Sequence, residues 1–254
     1  MKIEKNKNIL IDQIVEKLSN GEVCILPTDT FYSLSVVADN TLAIKNLFKI
    51  KKRDLNKPLP LLISSLRDIE RYCDISSQRL NKLADKFWPG PLTIVLPVMT
   101  DFPKEINNGS GYLGVRVPNH SFTQKIIESL GRPITGTSAN ISGVAPTKDI
   151  NQIKKTFSKK VSEITEIDCG SETLSSTVIK IDNDNSKIDI LIDLAGLWSA
   201  NRANIFNTRI CPLQISWLGF NNSTGLKEVD FILADKNTVK DEEKYYGSKI
   251  FKLP

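Results

Sequence analysis

A single histidine, His120, stands in a chain of 254 residues. Zinc centres draw on histidine and on paired cysteines, yet Cys24, Cys73, Cys169 and Cys211 are widely separated and form no CxxC pair. The sequence therefore lacks the ligand supply for zinc, and no metal site is expected. Cysteines scattered in this way fit reduced interior thiols better than a disulfide framework. Long apolar runs are missing too: nothing approaches the roughly 20 residues that a membrane span needs. The opening, MKIEKNKN, is charged, with no apolar run of signal-peptide length behind it, so a cytoplasmic protein is expected. Internal repeats and low-complexity tracts are also absent.

What is present is the composition of an ordinary globular protein, 40% apolar and 25% charged, long enough for one or two domains. The net charge of +5 gives a mild preference for anionic partners such as nucleotides or RNA.

Along the chain, Ile9, Leu10, Ile14, Val15 and Leu18 recur at helical spacing, and Gly21 supplies a stop. EVCIL then reads as a buried strand ending at Pro27. Further helices are expected over about 40–50, 76–87 and 121–130, and from about Asp149. Extended runs are expected at LPLLIS, LTIVLP and YLGVRVP, at 133–136, and near 164–168 and 176–181. Short apolar strands alternating with helices predict an α/β fold. The polar segment IDNDNSK (181–187) marks a seam, after which strand-like runs resume in IDILIDLAG, LQISWLG and VDFILAD.

Three loops follow strand ends, where ligands gather in open α/β sheets. PTDTFYSL (27–34) offers the hydroxyls of Thr28 and Thr30, although a threonine-rich turn would look the same. KIKKRDLNKP (49–58) carries five cations against one acid, Asp54. By itself this is a solvated basic turn, or a seat for a polyphosphate or carboxylate. TSANISG (137–143) combines small residues and hydroxyls, which lets backbone N–H groups approach phosphate, or simply caps a helix.

Taken in order, PTDTFYSL, IKKRDLNKPL, FWPGPLTIVLP, GVRVPNH, TSANISG and SSTVIKI resemble the YrdC-like threonylcarbamoyl-AMP synthases over about residues 8–181. The resemblance implies an α/β protein with a twisted mixed sheet around an open, basic cavity. It also implies the condensation of L-threonine, bicarbonate and ATP into threonylcarbamoyl-adenylate and pyrophosphate. A downstream threonylcarbamoyl transferase and tRNA would follow, with tRNA or double-stranded RNA as a further partner. Mg²⁺ would arrive on the ATP phosphates. Lys51 and Arg53 match the catalytic cations, and Arg53, Lys57, Ser138 and Asn140 match nucleotide-binding positions. Thr28, Thr30, Arg116 and Ser176 match threonine-binding positions. No covalent nucleophile is implied, so catalysis rests on positioning and charge neutralisation. Trp88 and Pro89 are read as shaping the fold, and His120 as a helix N-cap or surface residue.

The chain also departs from that pattern. The family's YGLG is here YSLS, and a serine at 33 or 35 is costly if the turn there needs a positive φ. Ser175 replaces a glutamate, which takes a charge away from the amino-acid site. No arginine occurs between Arg132 and Arg202, where the family has one closing on the nucleotide. Lys187 is a candidate to take its place.

Past residue 188 the resemblance changes. DILIDLAG, NTRICPLQISWLGFNNSTGL, VDFILAD and KYYGSKIFKLP resemble part of the first catalytic lobe of SPINDLY-like O-linked N-acetylglucosaminyltransferases. Two domains are expected, a YrdC-like domain over 1–187 and a small α/β fragment over 188–254. The fragment, which includes Trp198 and Trp217, is expected to be the less stable part and to bind no sugar nucleotide. Two rival readings stand beside the synthase. One is an impaired YrdC-like module that still binds nucleotide or RNA, and the other an accessory fragment linked to protein O-glycosylation.

Overall fold

The computed structural model describes residues 2–99, 103–172, 174–181, 190–193, 213–217, 229–235 and 249–253. The chain divides into two compact units, Met1–Val178 and Ile179–Pro254. The boundary expected at 187/188, the seam at 182–187, Lys187 and Trp198 lie outside the described residues.

In the first unit the apolar stripe of α1 (Lys2–Ser19) packs against α5 (Ser121–Leu130). Ile11, Ile14 and Leu18 meet Phe122, Ile126 and Ile127 over Leu26 of β1 (Cys24–Leu26), forming the main core cluster. α1 begins well before the first apolar residue of the expected stripe, and its residues Asn6, Lys7 and Asn8 are exposed. Gly21 ends it at φ +80°, a conformation that favours glycine.

The expected helices are found, and the side chains of Asn40, Ser77 and Asp149 cap three of them. Asn40 Oδ1 accepts from Ala43 N at 3.0 Å to open α2 (Thr41–Lys51). Asp149 accepts from Asn151 N to open α6 (Ile150–Phe157). α3 (Gln78–Phe87) and a short α4 (Lys104–Asn107) complete the set in this unit.

Two mixed sheets form the frame, the mixed α/β architecture that was expected. The first has the order β7-β2-β1-β8, with β2 (Ser33–Ser35), β7 (Thr137–Ser138) and β8 (Glu163–Ile164). The second has the order β6-β3-β5-β4-β9, with β3 (Leu61–Leu62), β4 (Leu92–Pro97), β5 (Tyr112–Arg116), β6 (Ile134–Thr135) and β9 (Thr177–Lys180). An antiparallel bridge between Val37 and Ile134 joins the two, so the strands make a nearly continuous surface.

Ser33 and Ser35 correct one expectation. They lie in β2, paired with Leu26 and Cys24 of β1, and among the described residues only Lys52 and Asn108 are non-glycine residues with positive φ. No left-handed turn exists at YSLS, so serine carries no backbone penalty there. Both serines are buried. Ser35 donates to Ser33 Oγ at 3.2 Å, and Ser33 donates to the Thr137 carbonyl at 3.3 Å.

The second unit contains β10 (Ile190–Asp193), β11 (Leu213–Trp217), β12 (Phe231–Asp235) and β13 (Lys249–Leu253). They pair in parallel and in chain order, the strand content expected of a small α/β unit. Among the described residues no helix is long and apolar enough to cross a membrane.

Candidate active site

The first and third motif loops meet through the pairing of two short strands. β2 pairs with β7 through Ser33–Ser138 and Leu34–Thr137, and Ala139 N donates to the Tyr32 carbonyl at 2.7 Å. This brings PTDTFYSL beside TSANISG, although more than a hundred residues separate them in the chain.

At the PTDT end three expected residues meet. Thr28 donates its hydroxyl to the Phe31 carbonyl at 2.7 Å, so the 3.0 Å contact between the Thr28 and Thr30 hydroxyls has Thr30 as donor. Thr30 Oγ1 in turn accepts from Arg116 Nη1 at 3.2 Å. Arg116, at the end of β5, also donates Nε to the Gly90 carbonyl at 3.0 Å and Nη2 to Asp29 Oδ1. Arg116 is 6% exposed and Asp29 4%, which makes this a buried ion pair. Burial pulls the arginine below its ordinary pKa, and the charges of Asp29 and Glu172 act against that pull. These three partners use three of the five N–H donors of the guanidinium, which leaves two that could meet a carboxylate.

Sequence reasoning missed Asp29 and the Gly90 carbonyl. A signal was available, since an arginine inside the apolar strand GVRVP must find a partner, and the acid between two threonines is one. WPGP thus does more than shape the fold. Trp88 donates to the Leu92 carbonyl at 2.6 Å, and the turn presents Gly90 to Arg116.

At the SAN end Lys51 is the hub. It is 2% exposed, and its ammonium donates to Ser138 O at 2.5 Å, Asn140 O at 3.1 Å and Asn140 Oδ1 at 2.6 Å. Ser138 Oγ donates to the same Oδ1 at 2.7 Å, and Ser142 N donates to the Lys51 carbonyl at 2.9 Å. All three ammonium hydrogens are therefore spent on the loop. Burial pushes the Lys51 pKa down to about 8, and the positive charge of Arg53 adds to this. Arg53 is half-buried and donates to the Lys57 and Pro58 carbonyls at 3.3 and 2.9 Å, which shapes the basic turn. Burial lowers its pKa as well. Lys57 is exposed.

Ser176 stands apart, sharing a 2.8 Å hydroxyl contact with Thr93 of β4. Ser175 is exposed, whereas Glu172, three residues upstream, bonds its N–H to the Asp29 carbonyl at 3.2 Å. A carboxylate is thus returned to the neighbourhood of Arg116 from a different position. His120 occupies the N-cap position of α5 without capping it, and its Nε2 meets the Asp168 carbonyl at 3.0 Å. Cys24, Cys73 and Cys169 carry free thiols, each pushed up in pKa by burial. No group of three or more His, Cys, Asp or Glu that could hold a metal ion occurs among the described residues.

The arrangement offers a cation and hydroxyl cluster at one end and a lysine-braced small-residue loop at the other. It suits two anions brought together.

Comparison with known proteins gives a consistent picture. The family model for Sua5, YciO and YrdC proteins, described as "Telomere recombination", matches residues 16–191. A second model, glycosyl transferase family 41, matches residues 138–253 and overlaps the first. A Methanocaldococcus jannaschii protein provisionally named threonylcarbamoyl-AMP synthase is 34% identical over 71% of this chain and 84% of its own. The threonylcarbamoyl-AMP synthase of Photobacterium profundum is 31% identical over 63% of this chain and 88% of its own. The crystal structure of P. abyssi Sua5 complexed with L-threonine superposes with a TM-score of 0.67 at 25% identity, covering 96% of this chain and 80% of that one. On the family match and these identities together, the chain belongs to the Sua5/YciO/YrdC family.

Proposed function

We propose that the protein is an L-threonylcarbamoyladenylate synthase, a nucleotidyltransferase acting on L-threonine, bicarbonate and ATP. The observation that carries this reading is the pair of polar clusters, Arg116–Thr30–Thr28 and Lys51–Ser138–Asn140, on loops that the β2–β7 pairing brings together. Relatives with threonylcarbamoyl-AMP synthase names and a relative crystallised with L-threonine support the same substrates.

In this reading the remaining N–H donors of the Arg116 guanidinium take the threonine carboxylate, with Thr28 and Thr30 lining that end, while Ser176, held on Thr93, lies apart from it. The threonine nitrogen attacks the carbon of bicarbonate, water leaves, and the nitrogen gives up protons to yield a carbamate. A carbamate oxygen then attacks the α-phosphorus of ATP and pyrophosphate departs. Both partners of the second step are anions, so nearby cations lower its barrier. Arg53 and Lys57 supply that charge at the phosphates. Lys51 keeps its charge close by while holding the loop whose Ser138 and Asn140 meet the nucleotide. Mg²⁺ enters with the ATP phosphates as part of the substrate. The adenylate is consumed by a transferase acting on tRNA, with binding of tRNA or double-stranded RNA by this chain a further part of the reading. A cytoplasmic setting accords with ATP as substrate.

Pyrophosphate release with each substrate omitted in turn tests the proposal. Release should require ATP, threonine and bicarbonate together, and equal release with serine or with no amino acid would reject the threonine site at Thr30 and Arg116.

A further inference from the structure

Side chains from three separate parts of the first unit grip the backbone carbonyls of one short segment. Tyr32 donates its hydroxyl to Ile167 O at 3.0 Å, His120 Nε2 donates to Asp168 O at 3.0 Å, and Lys148 Nζ donates to Gly170 O. A carbonyl can only accept, which places the His120 ring proton on Nε2. From its other side the same segment donates. Gly170 N reaches Thr28 O at 2.9 Å and Glu172 N reaches Asp29 O at 3.2 Å. The segment thus lies along the backbone of Thr28 and Asp29, the residues that hold Thr30 and Arg116.

The fit is close. A Cβ at Gly170 would stand 2.7 Å from Asp29 Cα and 2.9 Å from the Asp29 carbonyl oxygen. Both are backbone atoms with no rotamer to retreat into, so any side chain here must push the PTDT loop and the strap apart. The segment also ends in Glu172, whose charge acts on Arg116. A loop that only connected elements could leave its carbonyls to water. Here three donors are committed to hold it.

We infer that residues 167–172 form a strap that fixes the Asp29–Arg116–Thr30 constellation and so sets affinity for the amino-acid substrate. Tyr32, Lys148 and Gly170 then act as positioning residues, at a distance from the reacting atoms. The inference rests on the amino-acid end of the site proposed above. Recognition of a carboxylate by a guanidinium fork tolerates little displacement, so a small shift of Asp29 is felt at the substrate.

The test uses the full chain with Tyr32→Phe, Lys148→Met and Gly170→Ala. Pyrophosphate release is followed while threonine and ATP are varied separately. Tyr32→Phe keeps the ring and removes one bond, and should raise the threonine KM about fivefold. Lys148→Met should act in the same direction. Gly170→Ala should raise the threonine KM about tenfold or more. In each variant the ATP KM should stay within about twofold of wild type. Amide exchange at Gly170 and Glu172 should quicken in parallel, a readout independent of turnover. A protein in which Gly170→Ala does not fold leaves the other two variants to decide. Unchanged threonine KM in the folded variants, or an equal rise in ATP KM, overturns the strap while the synthase reading stands. A wild-type protein with no threonine-dependent release overturns the synthase reading and the strap's role with it.

Discussion

Lys51→Met separates what the buried ammonium does for the fold from what it does for the reaction. The folded pKa of about 8 lies below the ordinary 10.5 of lysine. At neutral pH both folded and unfolded chains hold the proton, and the fold carries the full cost of burying the charge. As pH rises past about 8 the folded chain gives up its proton first, and the cost is progressively relieved. Linkage between those two pKa values gives the wild type about 2 kcal/mol on going from about pH 7 to about pH 9.5. Methionine has no such group, so wild type should gain that amount relative to Lys51→Met in denaturant unfolding at the two pH values.

At neutral pH the variant itself should be less stable by roughly 1–3 kcal/mol. Methionine sheds the burial cost but leaves Ser138 O, Asn140 O and Asn140 Oδ1 without their donor. Activity should run the opposite way to stability. Wild-type turnover should fall as pH passes about 8 and the cation is lost, while the variant starts about tenfold lower or more and shows no such step. Wild-type activity that is flat from about pH 7 to about pH 9, or a variant that keeps the step, would refute the assignment of the charge to Lys51.

Other perturbations are simpler. Arg116→Met strands the Asp29 carboxylate in a buried site and should cost about 3–5 kcal/mol in urea unfolding, along with threonine binding. Arg53→Ala should lower turnover about tenfold or more while changing stability by less than about 1 kcal/mol, since its bonds are made in an exposed turn. Ser33→Gly, which restores the family's residue, should destabilise by about 1 kcal/mol, because φ at that position is not positive and the serine hydroxyl is bonded. A rise in stability for Ser33→Gly would revive the left-handed turn.

The helices were legible because their stripes and caps are local: Asn40 and Asp149 stand where capping residues belong, and both accept the expected backbone N–H. β2 and β7 were not legible, since SLS and TS read as polar loop and become strands only by pairing with β1 and with each other. The motif residues were visible in the sequence, but their partners were not. Asp29, Gly90, Lys148 and Gly170 reach the site through contacts with residues far along the chain or through a backbone carbonyl. Periodicity carries no trace of such contacts. The serines of YSLS were misjudged for a related reason, a turn having been assumed where the sheet continues.

The reaction proposed for this chain joins a threonine-derived carbamate to AMP. The most direct measurement incubates the protein with ATP, L-threonine and carbon-13 bicarbonate and examines the products by mass spectrometry. An adenylate carrying threonine and one labelled carbon should form in step with pyrophosphate. Pyrophosphate without the labelled adenylate, or an adenylate of threonine lacking the labelled carbon, would contradict it.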